Sequence, residues 1–251
     1  MKDNVDILKV QSVLLDMAVA IRDILEKYNI PYMIAYGTLL GAIRHEGFIP
    51  WDDDFDFYLF DDTYDLAIEY LRKELLDNYF VEDESVEPLY FHGWAHVKDL
   101  YSVTECKEFP QDSLYSHKGI SVDLYRTKLM PLNELDYFLN NENRAYIDRR
   151  KNKKLITAQD YNSRMMKLNE DIRNEGKYNG INDLVYNLLP TNNCHYMHEE
   201  NVFPLKKYNF NNEEFLGPNN ADIILKDIYG DYLKLPPEEK RRGHYSSVMF
   251  L

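Results

Sequence analysis

The chain has 251 residues, 45% of them hydrophobic and 14% aromatic, enough for a sizeable core in one large domain or in a main domain with an appendage. Its net charge of −14 at pH 7 argues against a general nucleic-acid-binding protein, because contacts with phosphates need a basic surface. A nucleotide site stays open, since a bound metal ion can supply positive charge.

The cysteine content and the N-terminal residues predict a cytoplasmic protein. Two cysteines, Cys106 and Cys194, are too few for a disulfide framework and fit a reducing compartment. The first residues are acidic and lack the basic-then-apolar pattern of a secretory signal. The most apolar early run, residues 13–24, is interrupted by three charged side chains, so we predict no transmembrane segment.

The first part of the chain alternates between helical and strand patterns. Residues 5–28 carry apolar side chains at helical spacing, which predicts an amphipathic helix. The elements predicted after it are a strand over 30–36, one or two helical turns between Gly37-Thr38 and Pro50, a strand over 54–60, and a helix capped by Thr63 and ending near Asn78.

The pattern changes near residue 130. Three further strands are predicted at 91–97, 102–106 and 120–125. Beyond Pro131 the sequence becomes polar and helical, and the predicted helices cover 133–150, 158–175 and 181–188. This change is the candidate boundary between a core over about 1–130 and a helical C-terminal part over about 131–251.

Residues 52–56 contain four aspartates within a strongly aromatic run. In a strand, side chains alternate between faces, and residues i and i+2 lie about 7 Å apart on one side. A strand over 54–60 therefore places Asp54 and Asp56 together at an open edge, and directs the phenylalanines between them into the core. Two carboxylates this close are suited to a hard divalent cation such as Mg²⁺ or Mn²⁺.

Two non-catalytic interpretations of the aspartate run fit the sequence less well. A solvated acidic loop rarely interleaves its acids with large aromatic side chains. A calcium-binding loop beginning at Asp52 needs glycine and glutamate where this chain has Phe57 and Thr63.

Two catalytic interpretations remain. A metal-dependent glycosyltransferase uses D-x-D to hold a nucleotide-sugar, and the nucleotidyltransferase fold uses the same pair to hold metals for phosphoryl transfer. The second also expects a Gly-Thr or Gly-Ser after a strand and a third acid on a neighbouring strand. Gly37 and Thr38 meet the first expectation, and Asp123, between two apolar residues, meets the second.

The segment GTLLGAIRHEGFIPWDDDFDFYL, residues 37–59, resembles almost letter for letter the signature of the LicD family of phosphotransferases. Residues 97–104, 117–125 and 202–232 resemble further segments of that family in the expected order. The family includes bacterial phosphocholine transferases and is related to fukutin-type ribitol-phosphate transferases. The resemblance implies one α+β domain over 1–251, with a nucleotidyltransferase-like mixed β-sheet core flanked by helices and a helical C-terminal portion.

The resemblance also implies an activity. This is the metal-dependent transfer of phosphocholine from CDP-choline to a hydroxyl of a cell-surface glycan, such as a teichoic acid, lipooligosaccharide or capsule precursor, with release of CMP. A lipid-linked acceptor and peripheral contact with a membrane are compatible with it. Three alternatives stay open: transfer of glycerol-phosphate or ribitol-phosphate from a CDP donor, a nucleotidyltransferase that releases pyrophosphate, and a binding module with a decayed site. The intact acids argue against the last.

Site residues follow from the resemblance joined to residue chemistry. The acids expected to hold Mg²⁺ or Mn²⁺ and to carry catalysis are Asp54, Asp56 and Asp123, and Asp123 has the alternative role of taking the proton of the acceptor hydroxyl. The residues expected to bind the donor phosphates are Gly37, Thr38, Arg44 and Lys98.

Several residues receive no firm role. Asp52 and Asp53 belong to the signature, but neither has an evident function. Cys194, His195 and His198 lack the spacing of a closed zinc site, so an incidental role is favoured. The segment EEKRRGH at 238–244 is a candidate to fold over the nucleotide, and some of the 21 tyrosines are candidates for an aromatic cage around choline.

Overall fold

The computed structural model of the chain describes residues 5–90, 92–106, 110–134, 141, 144–152, 157–159, 161–166, 184–189 and 196–251. Its strands are β1 (Tyr32–Ile34), β2 (Asp56–Phe60), β3 (Tyr79–Glu82), β4 (Ala95–Asp99), β5 (Ser102–Cys106), β6 (Ser121–Pro131), β7 (Leu184–Leu189), β8 (Tyr196–His198), β9 (Lys206–Phe210), β10 (Glu213–Gly217) and β11 (Tyr245–Phe250). Its α-helices are α1 (Ile7–Lys27), α2 (Tyr36–His45), α3 (Asp61–Glu74), α4 (Arg144–Asn152), α5 (Glu199–Val202) and α6 (Ala221–Tyr229).

The centre of the fold is a seven-stranded mixed sheet with the order β1-β2-β6-β4-β3, extended by β7 on β6 and β8 on β7. β2 and β6 run parallel, and the other described pairs of this sheet are antiparallel. Two smaller antiparallel pairs, β9 with β10 and β11 with β5, complete the strands. Together with the helices that pack on the sheet, this confirms the predicted α+β class with a mixed sheet flanked by helices.

Helix α1 matches the amphipathic helix predicted near the N-terminus. Asp6 caps it by accepting a hydrogen bond from the backbone N–H of Lys9 (3.3 Å). Its buried side chains recur at helical spacing, among them Val10, Leu14 and Met17, and this face packs on α3, β4 and β6. Across the described parts of the chain, no helix combines the length and apolar character needed to cross a bilayer.

Strand β2 is buried along its whole length. Phe55 and Phe57 enter a core that also holds Phe210 and Phe215 from the hairpin β9–β10, with ring centroids 5.2 Å apart for Phe55 and Phe210. The predicted burial of the phenylalanines is therefore confirmed. The predicted open edge is wrong for Asp56, which is 4% exposed, because β6 and α2 cover the start of the strand.

The C-terminal portion departs from the helical pattern predicted for it. The helix predicted over 181–188 is wrong, since residues 184–189 form β7 against the second half of the long strand β6. The free edge of β6 offers hydrogen-bond partners to this segment, and that tertiary pairing overrides the local pattern. Residues 144–150, 158–159 and 161–166 are helical as predicted, and residues 133–134 belong to a short 3₁₀ helix over Leu132–Glu134. Most of the rest of those two predicted helices lies outside the described residues.

One helix boundary also differs from its prediction. α3 begins at Asp61, directly after β2, so Thr63 lies inside its first turn and does not cap the helix as predicted. The Thr63 hydroxyl donates to the carbonyl of Phe60 (3.4 Å). The acidic first turn, Asp61 and Asp62, suits the positive end of the helix dipole.

Candidate active site

The parallel pairing of β2 with β6 brings the predicted acids together. Asp56, the first residue of β2, lies directly opposite Asp123 in the register of the two strands. The backbone N–H of Asp123 donates to the carbonyl of Phe55 (2.9 Å), which fixes the two strands at this point. Asp54 precedes the strand by two residues and faces the same space, with 31% of its side chain exposed.

The start of α2 is joined to the start of β2. The backbone N–H of Ala35 donates to the carbonyl of Asp56 (3.0 Å), and the Thr38 hydroxyl oxygen accepts from the backbone N–H of Asp56 (2.9 Å). A Cβ on Gly37 would lie 2.8 Å from Oδ2 of Asp52, so a side chain at this position would make the Asp52 carboxylate shift. Gly37 and Thr38 therefore contact the acid segment itself and set its position.

The acids strongly shift one another's pKa values. Burial raises the pKa of Asp56 well above its usual range, and the neighbouring carboxylates of Asp54, Asp123 and Asp52 raise it further. Burial and Asp54 raise the pKa of Asp123 to about 7, against the opposing effect of Lys98. Like charges held this close in a poorly solvated site are neutralised by a proton or by a bound cation.

The carboxylate of Asp123 is held by three side chains that the sequence analysis did not select. Oδ2 accepts from Nε1 of Trp94 (2.9 Å) and from the hydroxyl of Tyr125 (3.2 Å), and Oδ1 lies 3.2 Å from Nε2 of His96. Burial, followed by Lys98 and His92, lowers the pKa of His96 well below its usual value, so His96 is neutral at pH 7. Asp123 is thus fixed in orientation.

A cleft of about 480 Å³ opens beside these acids. Asp54, Asp123, Trp94, Tyr125, Lys98 and His244 are among the side chains that line it. Lys98 is 4% exposed and projects from β4, whose register with β6 places it opposite Ser121. The structure thus brings Lys98 to the acids, as the sequence predicted for a phosphate-binding residue.

Arg44 is placed differently from the other predicted phosphate ligands. Its guanidinium donates to the carbonyl of Tyr232 (2.7 Å) and to His45 (3.0 Å), and it is not among the described residues that line the cleft. Burial lowers its pKa, and Asp52 acts in the opposite direction. Arg44 joins the end of α2 to the C-terminal region, and its role toward a phosphate stays a prediction.

The C-terminal segment 243–245 closes one side of the cleft. Asp53, 1% exposed, accepts hydrogen bonds from the backbone N–H groups of His244 (2.7 Å) and Tyr245 (2.9 Å). The imidazole Nε2 of His244 lies 3.1 Å from Oδ2 of Asp54. Only the glycine-histidine pair in EEKRRGH could have indicated this contact from sequence.

The acid site fits a divalent cation. Among the described residues, Oδ1 of Asp54 is a buried carboxylate oxygen without a hydrogen-bond partner. Asp52, Asp54 and His244 each offer a ligand atom, and these atoms lie within 4.8 Å of one another. Carboxylate oxygens and an imidazole nitrogen form a donor set suited to Mg²⁺ or Mn²⁺. The other candidate metal ligands, Cys194 and His195, lie outside the described residues.

Acids on neighbouring strands of a mixed sheet, beside a helix that begins at a Gly-Thr pair, define a nucleotidyltransferase-type domain. A family model described as "LicD/FKTN/FKRP, nucleotidyltransferase domain" matches residues 29–125, which include all three acids. The chain is also 23% identical over 253 residues to "Lipopolysaccharide cholinephosphotransferase LicD" of Haemophilus influenzae, across 90% of this chain and 91% of the relative. Residues 29–125 thus match the LicD family, and the similarity to the Haemophilus protein extends over most of the chain.

Two rickettsial proteins share shorter stretches. An uncharacterised protein of Rickettsia prowazekii is 28% identical over 148 residues, which is 49% of this chain and 50% of that protein. An uncharacterised protein of Rickettsia typhi is 62% identical, but over only 34 residues, or 14% of this chain. Such a dense match in a short stretch indicates one conserved motif and carries no information about substrate.

Proposed function

We propose that the protein is a metal-dependent phosphotransferase that moves phosphocholine from CDP-choline to a hydroxyl of a cell-surface glycan and releases CMP. The observation that carries the proposal is the joining of Asp54, Asp56 and Asp123 beside one cleft of a LicD-family fold. The similarity to the Haemophilus protein, which extends over 90% of this chain, supports phosphocholine as the group transferred.

The reaction is an in-line displacement at the phosphorus that carries choline. The acceptor oxygen forms a new P–O bond, the P–O bond to CMP breaks, and the proton of the acceptor hydroxyl passes to a carboxylate or to water. Bound Mg²⁺ or Mn²⁺ supplies neutralising charge to the phosphate oxygens. Asp54 and Asp56 are the residues that would hold it.

Asp123 has two possible roles, which are separable. As a metal ligand, its loss weakens metal binding together with transfer; as the proton acceptor, its loss abolishes transfer and leaves metal binding intact. In both roles its orientation depends on Trp94 and Tyr125, which donate to its carboxylate, and on His96, whose Nε2 lies 3.2 Å from Oδ1. The Asp123→Asn variant, assayed for Mn²⁺ affinity and for transfer, distinguishes the two.

The cleft has features that suit a CDP-choline donor. Lys98 supplies a buried positive charge for a phosphate oxygen. Trp94 and Tyr125 line the same cleft with ring centroids 4.7 Å apart, and aromatic faces attract a quaternary ammonium group. A glycerol or ribitol donor has no cation for these rings, so this pair favours choline among the CDP-alcohols.

The direct test is a transfer assay with purified protein, Mg²⁺ or Mn²⁺, CDP-choline and a deacylated lipooligosaccharide acceptor. We expect release of CMP, with ³¹P resonances of a phosphodiester on the glycan. Parallel reactions with CDP-glycerol, CDP-ribitol and CTP test the alternatives. Transfer from a polyol donor alone would overturn the choline assignment, and release of pyrophosphate from CTP without CMP from CDP-choline would overturn phosphocholine transfer.

Donor binding can be measured without knowing the acceptor. CDP-choline at about 100 times its Kd should stabilise the folded protein by about 2.7 kcal/mol, which a thermal-unfolding measurement detects. CMP and CDP-glycerol serve as matched ligands that share the nucleotide but lack choline. Equal stabilisation by CDP-choline and CDP-glycerol would contradict recognition of choline by the aromatic pair.

A further inference from the structure

The segment 243–245 is fixed at the site by contacts from several elements. The Asp53 carboxylate accepts from two successive backbone N–H groups, those of His244 and Tyr245. The backbone N–H of Ser121, at the start of β6, donates to the hydroxyl of Tyr245 (3.2 Å). Strand β11, which begins at Tyr245, pairs with β5. We call Asp53 together with the backbone of 243–245 the clasp.

Gly243 is a necessary part of the clasp. A Cβ at this position would overlap both carboxylate oxygens of Asp53. A larger residue would therefore push the segment away from Asp53 and break the two hydrogen bonds. The local sequence, glycine followed by histidine, is what permits close approach and then presents an imidazole.

The consequence of the clasp is the position of the His244 imidazole. Its Nε2 lies 3.1 Å from Oδ2 of Asp54, and its side chain is 40% exposed toward the cleft that it lines. Ligand atoms of Asp52, Asp54 and His244 lie within 4.8 Å of one another. The other oxygen of Asp54 is buried without a hydrogen-bond partner in the described structure, so this carboxylate is held ready for a further ligand.

We propose that His244 is a nitrogen ligand of the divalent cation and that Asp53 is the positioning residue that delivers it. This inference rests on the proposed function, because it concerns the cation of the same site. The signature residues then provide oxygen ligands, and a residue about 190 positions later in the chain provides the nitrogen. A nitrogen ligand favours Mn²⁺ over Mg²⁺, since imidazole suits transition metals better than it suits Mg²⁺.

Pulsed electron paramagnetic resonance of bound Mn²⁺ tests the assignment without any donor or acceptor. Full-length protein with Mn²⁺ should show electron spin-echo modulation from one directly bound ¹⁴N. His244→Ala should abolish that modulation and raise the Kd for Mn²⁺ by about 10-fold. His45→Ala is the matched control, because His45 lies at the end of α2 and should leave both the modulation and the Kd unchanged.

Asp53→Asn tests the positioning role. Asparagine keeps the size but loses one acceptor of the clasp, so the ¹⁴N modulation should weaken and the Kd for Mn²⁺ should rise by about 10-fold. A merely structural role for Asp53 would change the melting temperature and leave the modulation intact. Circular dichroism confirms that each variant is folded before its spectrum is compared.

Two outcomes would overturn the inference: bound Mn²⁺ without ¹⁴N modulation in the native chain, or unchanged modulation in His244→Ala. Neither would affect phosphocholine transfer, which the CMP assay measures separately. Conversely, a chain that shows the His244 modulation but releases no CMP from CDP-choline would remove the proposed function and keep the metal ligand.

Discussion

Asp53 and Asp56 lie three residues apart and are both almost completely buried, at 1% and 4% exposure, yet their surroundings are opposite. Burial raises the pKa of Asp53, and the two backbone N–H groups that it accepts from oppose that rise. Asp56 faces the carboxylates of Asp54 and Asp123, so its charge opposes the fold. The comparison teaches that two equally buried acids differ in what surrounds them: backbone donors offset part of the cost of burying one, and neighbouring carboxylates add to the cost of burying the other, which makes the second the candidate for binding a cation.

The largest effect is expected from Asp56→Asn. Loss of a carboxylate that we propose to hold the cation should reduce transfer by about 1,000-fold, measured as CMP release at saturating CDP-choline. Removal of one of the repelling charges should at the same time raise the melting temperature of the metal-free protein. Transfer within 10-fold of the native rate would show that Asp56, like Asp53, serves the fold and not the reaction.

The opposite response is expected from Asp53→Ala. Two buried N–H groups lose their acceptor, so the free energy of unfolding should fall by about 3 kcal/mol, measured by urea denaturation. Asp62→Ala, in the first turn of α3, is an acidic control that we expect to change stability by under about 1 kcal/mol. Native stability in Asp53→Ala would show that the clasp contributes nothing to the fold.

A third buried carboxyl group, that of Glu82 in β3, extends the comparison, because its effect on stability depends on pH. Burial raises its pKa to about 7, with Glu87 and Asp112 acting in the same direction and Lys98 against them. The folded state therefore holds this proton more tightly than the unfolded state, and stability falls as pH rises from about 4.5 to 7. Glu82→Gln removes this loss of stability. The difference in free energy of unfolding between the variant and the native protein should therefore shift in favour of the variant by roughly 2 kcal/mol from pH 5 to pH 8.

The measurement for Glu82 is the difference in unfolding free energy between Glu82→Gln and the native protein, taken at several pH values. Val86→Ala, at an exposed position without a titratable side chain, is a control whose difference should not change with pH. A constant difference for Glu82→Gln from pH 5 to pH 8 would contradict a raised pKa.

The smallest effect is expected from Trp94→Phe. Phenylalanine keeps an aromatic face and removes the N–H that donates to Asp123 (2.9 Å). Loss of one hydrogen bond to a charged group should lower kcat by about 10-fold with little change in KM for CDP-choline. Trp94→Ala should additionally raise KM, and an unchanged KM in that variant would remove Trp94 from donor binding.

Strand alternation was enough to predict the burial of Phe55 and Phe57, but it did not predict that Asp56 is buried as well. The third acid, Asp123, needed the added expectation of a neighbouring strand, which the register of β2 with β6 supplies. Trp94 and His96 could not be found in this way. Their contact with Asp123 depends on how β4 pairs with β6, and a single sequence does not specify that register.

Longer-range contacts explain the remaining differences. Arg44 follows Thr38 by less than two helical turns, but the packing of the helix end on the C-terminal region directs its guanidinium to the carbonyl of Tyr232. The helix predicted over 181–188 became β7 because β6 extends far enough to pair with it. Asp53 had no evident role in the signature alone, since its partners are His244 and Tyr245.

The clasp also implies an order in which the parts of the candidate site form in a newly made chain. The ribosome releases residues 37–123 long before it releases 243–250, so β2 and β6 can pair while the histidine is still being synthesised. Until β11 joins β5, Asp53 lacks its two backbone donors. Translation of the C-terminal strand is thus the event that completes the candidate site, and a nascent chain stalled before it would carry the acids without their clasp.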